Sequence, residues 1–158
     1  MILDVGCGDN PKGHVNLDLN VGRTRHLHES RSIDPKVIPN FVRGSINCLP
    51  FRNDAFDLVV CHHVLEHEGV NFSKAIRELL RVTKDKAVFV VPHRYARGSW
   101  LRYKQFESHD KYFNVTTLSK WLKKQRIPHE IRTRYRTFPS IFPILRLPWE
   151  IEVTMVKT

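Results

Sequence analysis

Short runs of apolar residues divide the chain into predicted strands and helices. Continuous or alternating apolar runs are typical of strands, and we predict seven of them, at residues 2–5, 15–19, 40–42, 56–61, 87–91, 129–137 and 149–157. Apolar positions recur at helical spacing in two stretches, residues 64–82 and 116–125, and Thr116 or Thr117 could cap the second. The order of these elements therefore predicts a protein of the α/β class.

The way the strands are connected predicts how they pair. Strands separated by helices in the middle of the chain favour a parallel sheet with helices on its faces. The Pro-rich stretch 138–148 leaves no room for a helix beyond a single turn, so the last two strands are more easily paired antiparallel. We predict a mostly parallel seven-stranded sheet with an antiparallel last strand and helices on both faces, in one domain over residues 1–158.

A glycine turn follows the first predicted strand. Gly6 and Gly8 would let the backbone turn sharply and approach a ligand without side chains in the way. Asp18, at the end of the second strand, would lie beside this turn, where a carboxylate can accept hydrogen bonds from ribose hydroxyls. The plainer interpretation is a structural glycine turn with a capping aspartate.

Several segments taken together resemble one family. LDVGCG (residues 3–8) resembles the first motif of class I S-adenosylmethionine-dependent methyltransferases, in a compact form similar to methyltransferase type 11. GSINCLPF (44–51) with NDAFDLVV (53–60), and VLEH (64–67) leading into RELLRV (77–82), are similar to the middle of that family. The matches follow the family's order over roughly residues 2–92. The resemblance implies a Rossmann-like fold with S-adenosyl-L-methionine as cofactor.

The resemblance also implies roles for individual residues. The first motif would surround the methionine part of the cofactor, Asp18 would bind the ribose, and Ser45 and Ile46 would meet the adenine. The complete set of residues expected to bind the cofactor is Asp4, Gly6, Cys7, Gly8, Asp18, Ser45, Ile46, Cys61 and His62. Residues 1–92 would form the cofactor-binding half, and residues 93–158 the half that faces the substrate.

The chain departs from the family pattern in three places. The link between the first two strands is too short for the usual crossover helix and is expected to be a turn closed by Pro11 and Gly13. At the adenine position Ser45 replaces the usual aspartate. No helix precedes the first strand, so we expect another element or a partner subunit to cover one face of the sheet, which makes a homo-oligomer an open alternative.

Candidate catalytic residues follow the fourth and fifth strands. An amine acceptor needs mainly alignment with the methyl group, whereas an oxygen acceptor more often needs a base. The candidates at the ends of these strands are His62, His63, His93 and Tyr95. The family's amino-methylating variants carry an Asn/Asp/Ser-Pro-Pro-aromatic motif where this chain reads Cys61-His62-His63-Val64, so the acceptor atom stays open.

A rival motif overlaps these candidates. His63-Val64-Leu65-Glu66-His67 fits the His-x-x-Glu-His pattern of inverted zinc peptidases, in which two histidines share a metal ion. Because the pattern starts where a buried strand ends, inside a stretch that resembles methyltransferases throughout, we predict no metal site. Glu66 would instead lie in the first turn of a helix, where a carboxylate suits the helix dipole.

The charge of the chain indicates a polyanionic partner. The 26 Lys and Arg residues outnumber the 16 Asp and Glu residues, for a net charge of +10. Residues 93–136 contain 12 of the basic residues interleaved with eight aromatic ones, a composition typical of nucleic-acid binding. We therefore predict an RNA acceptor, ribosomal or transfer RNA, ahead of DNA. A small-molecule acceptor and a non-catalytic RNA- or partner-binding module remain alternatives, because the aromatic residues could equally belong to the core.

The remaining features indicate where the protein works. Three cysteines, Cys7, Cys48 and Cys61, are few and odd in number, which favours free thiols in a reducing compartment. No apolar stretch approaches the length needed to span a bilayer, and no signal peptide is visible. The expectation is a cytoplasmic protein with no membrane association.

Overall fold

The computed structural model describes residues 1–22, 32–94, 111, 113–138 and 142–157. Seven strands lie in these ranges: β1 Ile2–Val5, β2 Val15–Asp18, β3 Phe41–Arg43, β4 Phe56–His62, β5 Thr83–Pro92, β6 His129–Phe138 and β7 Phe142–Val156. Two helices accompany them, α1 Phe72–Val82 and α2 Val115–Lys124. Neither helix is long and apolar enough to cross a membrane.

All seven strands form one sheet in the order β3-β2-β1-β4-β5-β7-β6. Strands β1 to β5 pair in parallel, whereas β7 runs antiparallel to both of its neighbours, β5 and β6. The register places Leu3 beside Val59, Val59 beside Ala87 and Ala87 beside Met155. The predicted α/β fold, a mostly parallel Rossmann-like sheet with an antiparallel last strand, is confirmed.

Both described helices pack on the same face of the sheet. The ring of Phe72, the first residue of α1, lies 6.3 Å from that of Phe89 on β5 and 4.9 Å from that of Trp121 on α2. The apolar residues of both helices share one core with the sheet residues Leu3, Val59 and others of that face. A helix on the second face, which we predicted, is absent from the described ranges.

The structure corrects where the two helices begin. The spacing predicted a helix from residue 64, but α1 starts at Phe72, because Gly69 adopts a φ of +77° and Asn71 caps the helix by accepting from the Lys74 N–H at 3.0 Å. Glu66 is therefore not in the first turn of α1. The cap of α2 is Asn114 rather than Thr116 or Thr117, and its side chain accepts from the Thr117 N–H at 2.9 Å.

Strand β7 is longer than the sequence predicted. It begins at Phe142 instead of residue 149, so most of the Pro-rich stretch is strand rather than loop. Pro148 pairs with Tyr135 of β6. It comes two residues before Glu150, which pairs with Pro92, the last residue of β5. Among the described residues only β6 pairs with β7 at this point, so the missing N–H of proline costs little there, and the register of the pair shifts between Arg134 and Tyr135.

The link from β1 to β2 spans residues 6–14 without a helix, as its length predicted. The N–H groups of Gly6 and Cys7 both donate to the Leu17 carbonyl, at 2.7 and 3.1 Å. The buried side chain of Asn16 accepts from the Gly13 N–H at 2.9 Å and donates to the Pro39 carbonyl at 2.7 Å. These bonds hold the turn after β1 against the end of β2.

Candidate functional site

A cleft of about 570 Å³ opens at the carboxyl ends of the parallel strands β1, β2 and β4. Its walls are the glycine turn after β1, the end of β2, the loop at residues 44–47 and the segment at residues 63–70. Ligands of open α/β sheets bind in such a crevice, and the volume suits a ligand of nucleotide size. The cleft is therefore the candidate functional site.

The glycine turn leaves one wall of the cleft bare. Gly6 has a φ of +74°, and a Cβ on it would overlap the Cγ2 methyl of Val64. Gly8 has a φ of +56° and nothing within 4 Å of where its Cβ would be. Glycine is needed at the first position for the close approach of Val64, and at the second it keeps backbone facing the open cleft.

Asp18 is held in place beside this turn. Its Oδ2 accepts from the Gly8 N–H at 3.0 Å and its Oδ1 accepts from the Asn20 N–H at 2.9 Å. The residue is 8% exposed and lines the cleft. A carboxylate has about four acceptor positions, so each oxygen can still accept from a hydroxyl group of a ligand.

The opposite wall of the cleft contains the two residues predicted to meet adenine. Ser45 and Ile46 both line the cleft, and Ile46 is almost completely buried. Asn47 ties this wall to the neighbouring segment, since its amide donates to the Gly69 carbonyl at 2.8 Å and accepts from the Asn71 N–H at 2.9 Å. Sequence analysis did not single out Asn47, because its partners are more than 20 residues away along the chain.

Helix α1 supports the same wall from behind. The guanidinium of Arg81 donates to the carbonyls of Leu49 at 2.9 Å and Phe51 at 2.7 Å, and it also pairs with Glu78 at 2.8 Å. Glu78 in turn accepts from the Leu49 N–H at 2.7 Å. The hydrogen bonds from Arg81 keep the pKa of Glu78 below its usual value. This network fixes the loop that follows Ser45 and Ile46.

Three residues expected at the cofactor do not line the cleft. Asp4 lies on the second face of the sheet, where its Oδ2 accepts from the Lys12 N–H at 2.9 Å, and burial raises its pKa. Cys7 is buried with Ile33 and Ile38, and burial raises the pKa of its thiol to about 12. Cys61 is fully buried in the core between sheet and helices. Alternation along β1 turns Asp4 away from the core face, while Cys7 and Cys61 are packed in apolar clusters.

His62 is also outside the cleft lining. It follows Cys61 on β4 and so points to the second face, with Val90 as its neighbour on β5. Burial is the main reason that its pKa is lowered, and the charge of Lys12 lowers it further. A histidine in this position is neutral at physiological pH.

His63 is the catalytic candidate that does line the cleft. It adopts a φ of +55° directly after β4, and its Nε2 lies 3.0 Å from Oε1 of Glu150 while its Nδ1 lies 3.4 Å from Oε1 of Glu66. Burial alone would lower its pKa, but the neighbouring carboxylates of Glu66 and Glu150 outweigh this effect, so the pKa is raised. The imidazole therefore keeps its proton to a higher pH than usual, which disfavours it as a resting base.

The other two catalytic candidates are not placed in the cleft. His93 is buried, its N–H donates to the Trp149 carbonyl at 3.0 Å, and burial is the first cause of its lowered pKa. It does not line the cleft. Tyr95 lies outside the described residues.

Glu66 is a lining residue that sequence analysis assigned to a helix turn. It is 0% exposed, and both of its carboxylate oxygens lack a hydrogen-bond partner among the described residues. His67, beside it, has its Nε2 at 3.0 Å from the His63 carbonyl. In the described part of the chain, no three His, Cys, Asp or Glu side chains are arranged to hold a metal ion.

Comparisons with known proteins agree with this geometry. The family model described as a methyltransferase domain matches residues 3–91. An uncharacterized protein of Methanocaldococcus jannaschii is 36% identical over 93 residues, and the uncharacterized methyltransferase YcgJ of Bacillus subtilis is 31% identical over 107 residues. These matches cover 58% and 60% of this chain, which spans only 39% and 41% of the two relatives.

Solved structures share the fold at low sequence identity. A Thermotoga maritima protein described as an S-adenosylmethionine-dependent methyltransferase, possibly acting on histamine, superposes with a TM-score of 0.69 and 13% identity over 99% of this chain and 82% of its own. Magnesium protoporphyrin IX methyltransferase of Synechocystis, solved with bound S-adenosylhomocysteine, gives a TM-score of 0.62 and 16% identity over 99% and 74%. The chain therefore belongs to the methyltransferase domain family, and its fold is that of S-adenosylmethionine-dependent methyltransferases.

Proposed function

We propose that this chain binds S-adenosylmethionine in the cleft and transfers its methyl group to an acceptor. The observation that carries the proposal is the cradle made by Gly8 and Asp18, in which bare backbone faces open space beside a carboxylate that is already oriented. The glycine turn would hold the methionine part of the cofactor, Asp18 the ribose, and Ser45 with Ile46 the adenine. All of these residues line the cleft except Cys7 of the turn.

The chemistry demands alignment more than acid–base catalysis. When bound, the cofactor supplies a methyl group that is electrophilic because it is attached to a sulfonium. The protein then has to hold the acceptor in line and exclude water. Val64, Val70 and Pro92 give the cleft an apolar border that favours this. His63, with its raised pKa, would act as a base only after losing its proton to solvent or to a carboxylate.

The cofactor proposal is tested by calorimetry with S-adenosylhomocysteine, the demethylated product. We expect binding in the micromolar range, that is roughly −7 to −9 kcal/mol, and no comparable heat with ATP, which lacks the amino-acid part. Absence of binding by the folded chain would contradict the proposal and would favour the alternative of a non-catalytic module.

We further propose that the acceptor is RNA, in line with the net charge of +10. One cation lies at the border of the cleft, since Lys111 Nζ donates to the carbonyl of the lining residue His67 at 3.0 Å. The basic residues Lys123 and Lys124 instead occupy the last turn of α2, next to the start of β6, and do not line the cleft. Lys123 and Lys124 could bind the phosphates of a long polyanion, but they lie outside the cleft in which the methyl group would be transferred.

A small-molecule acceptor is the second candidate, because one neighbour in fold is named for magnesium protoporphyrin IX. Transfer of tritium from labelled S-adenosylmethionine into RNA, protein and metabolite fractions separates the two. Label in RNA, reduced steeply by added salt, supports an RNA acceptor. Label confined to metabolites, with little salt dependence, contradicts it.

A further inference from the structure

We propose that Glu66 is a cation-binding group at the floor of the cleft, which takes a positive charge from the bound ligand. Two sources have this chemistry: the ammonium group of the cofactor's methionine part, and a divalent metal ion. The first rests on the proposed function, whereas the second is independent of it.

The first argument is the state of the carboxylate. Glu66 has no exposed surface, yet it lines the cleft, and neither of its oxygens has a hydrogen-bond partner among the described residues. Burying a carboxyl group without a hydrogen bond is costly, and folded proteins rarely keep such a group unless something compensates it. A ligand that enters the cleft with a positive charge would provide that compensation.

The second argument is the charge balance around Glu66. His63 forms an ion pair with Glu66, at 3.4 Å between Nδ1 and Oε1, but no hydrogen bond reaches either Glu66 oxygen from the described residues. The same imidazole is already bonded to Glu150 through Nε2 at 3.0 Å. Glu150 also lies 3.7 Å from the guanidinium of Arg134. Among the described residues Glu150 therefore has two cationic neighbours, whereas Glu66 has only the imidazole that it shares with Glu150.

The third argument is the surroundings of the carboxylate. Leu65, before it, is fully buried, and Val5 and Val64 line the cleft beside it. In such an apolar setting the attraction between opposite charges is much stronger than in water. The described residues hold no ready set of three metal-binding side chains, so a metal ion would complete its coordination with water or ligand atoms.

The experiment compares wild type with Glu66→Gln and with the control Glu130→Gln, which removes the same charge from an exposed position on β6 outside the cleft lining. Calorimetry with MnCl2 and ZnCl2 tests the metal ion. S-adenosylhomocysteine and methylthioadenosine test the ammonium, because the second compound keeps the adenosine and thioether but lacks the amino-acid part.

We expect Glu66→Gln, and not Glu130→Gln, to weaken the binding of one probe by about tenfold or more, since a charge-assisted contact is lost. Loss of metal affinity identifies a metal ion. Loss of affinity for S-adenosylhomocysteine, with methylthioadenosine unchanged, identifies the ammonium. If Glu66→Gln binds every probe as tightly as wild type, the proposal is overturned. If wild type binds no adenosyl compound but Mn²⁺ or Zn²⁺ in a Glu66-dependent way, only the proposed function fails.

A measurement on wild type covers the case in which Glu66→Gln does not fold. In protein labelled with ¹³C at glutamate carboxyls, the buried Glu66 signal should shift when the effective probe is added, while exposed carboxyl signals should stay in place. A Glu66 signal that none of the probes moves would also overturn the proposal.

Discussion

The carboxylate of Asp18 accepts a hydrogen bond from the backbone N–H of Gly8 at 3.0 Å. This bond joins the end of β2 to the turn after β1 across ten residues of chain, and it leaves acceptor positions directed to the cleft. The two features that the sequence suggested for a nucleoside site, a glycine turn and a carboxylate, are thereby one structural unit.

Replacing Asp18 by Ala should therefore weaken S-adenosylhomocysteine strongly, by about tenfold or more, because both the ligand contact and the tether to Gly8 are lost. Calorimetry on the folded variant measures this. Asp85→Asn is the control, since it alters an exposed carboxylate near the start of β5, at the opposite end of the strand from the cleft. Equal affinity of Asp18→Ala and wild type would remove Asp18 from the site.

Gly8 and Gly22 form a matched pair for testing the cradle. Both have a positive φ, +56° and +79°, and neither has an atom within 4 Å of an added Cβ. Alanine at either position should cost about 1–3 kcal/mol of stability through backbone strain, measured by urea unfolding. Because Gly8 lies in the cleft wall, only Gly8→Ala should also weaken S-adenosylhomocysteine. Equal ligand affinity in the two variants would show that the turn does not contact the ligand.

Arg81 should be important for both stability and binding. Arg81→Ala removes the hydrogen bonds to the carbonyls of Leu49 and Phe51 and the ion pair with Glu78. We therefore expect a loss of about 1–3 kcal/mol in unfolding free energy. The loop carrying Ser45 and Ile46 should loosen, which lowers cofactor affinity. Arg77→Ala, at an exposed position of the same helix, serves as the comparison and should change neither quantity by more than about 0.5 kcal/mol.

The adjacent histidines His62 and His63 should give opposite pH dependences. The pKa of His63 is raised above 6.5, so the stability from its protonated form is fully present below pH 6.5 and is lost as the pH rises through the folded-state pKa. The pKa of His62 is lowered, so wild type loses stability as the pH falls below 6.5. The unfolding free energy of wild type relative to His63→Asn should therefore be largest at low pH and should shrink as the pH rises. The unfolding free energy of wild type relative to His62→Asn should fall as the pH falls.

Denaturant unfolding at a series of pH values from 5 to 8.5 measures both differences. Asn is chosen because it tolerates the positive φ of His63. A His63→Asn deficit that does not shrink with rising pH would show that the two carboxylates do not hold the proton on the imidazole.

Local patterns predicted most of the fold but not all of its boundaries. Apart from the start of β7, the strand runs and the predicted α2 agree with the structure to within a few residues, because alternation and helical spacing are local properties. Residues 64–71 were wrongly predicted as helix because Leu65 and Phe72 continue the helical spacing of apolar residues. In the structure Gly69 has a positive φ and Asn71 caps α1, so the helix begins only at Phe72. The early start of β7 was missed because two prolines argue against a strand, whereas in the described residues this part of β7 pairs with β6 despite them.

The candidate site was predicted unevenly for a related reason. The positions of Gly8, Asp18, Ser45 and Ile46 in the cleft follow from strand ends that meet at one edge of a parallel sheet, which a sequence can indicate. Asp4 and His62 do not line the cleft because they point to the second face of the sheet, and Cys61 does not because it is enclosed in the core, which is decided only when strands and helices pack together.

By itself, the sequence determined the element order, the family and the glycine turn with its aspartate, because each is encoded by residues close together or by motifs in a recognisable order. Only the tertiary structure decided that Glu66 lies buried in the cleft without a hydrogen bond from the described residues, that His63 is shared by two carboxylates, and that both described helices cover one face. These are relationships between residues distant along the chain, and their burial and charge exist only once the sheet has assembled.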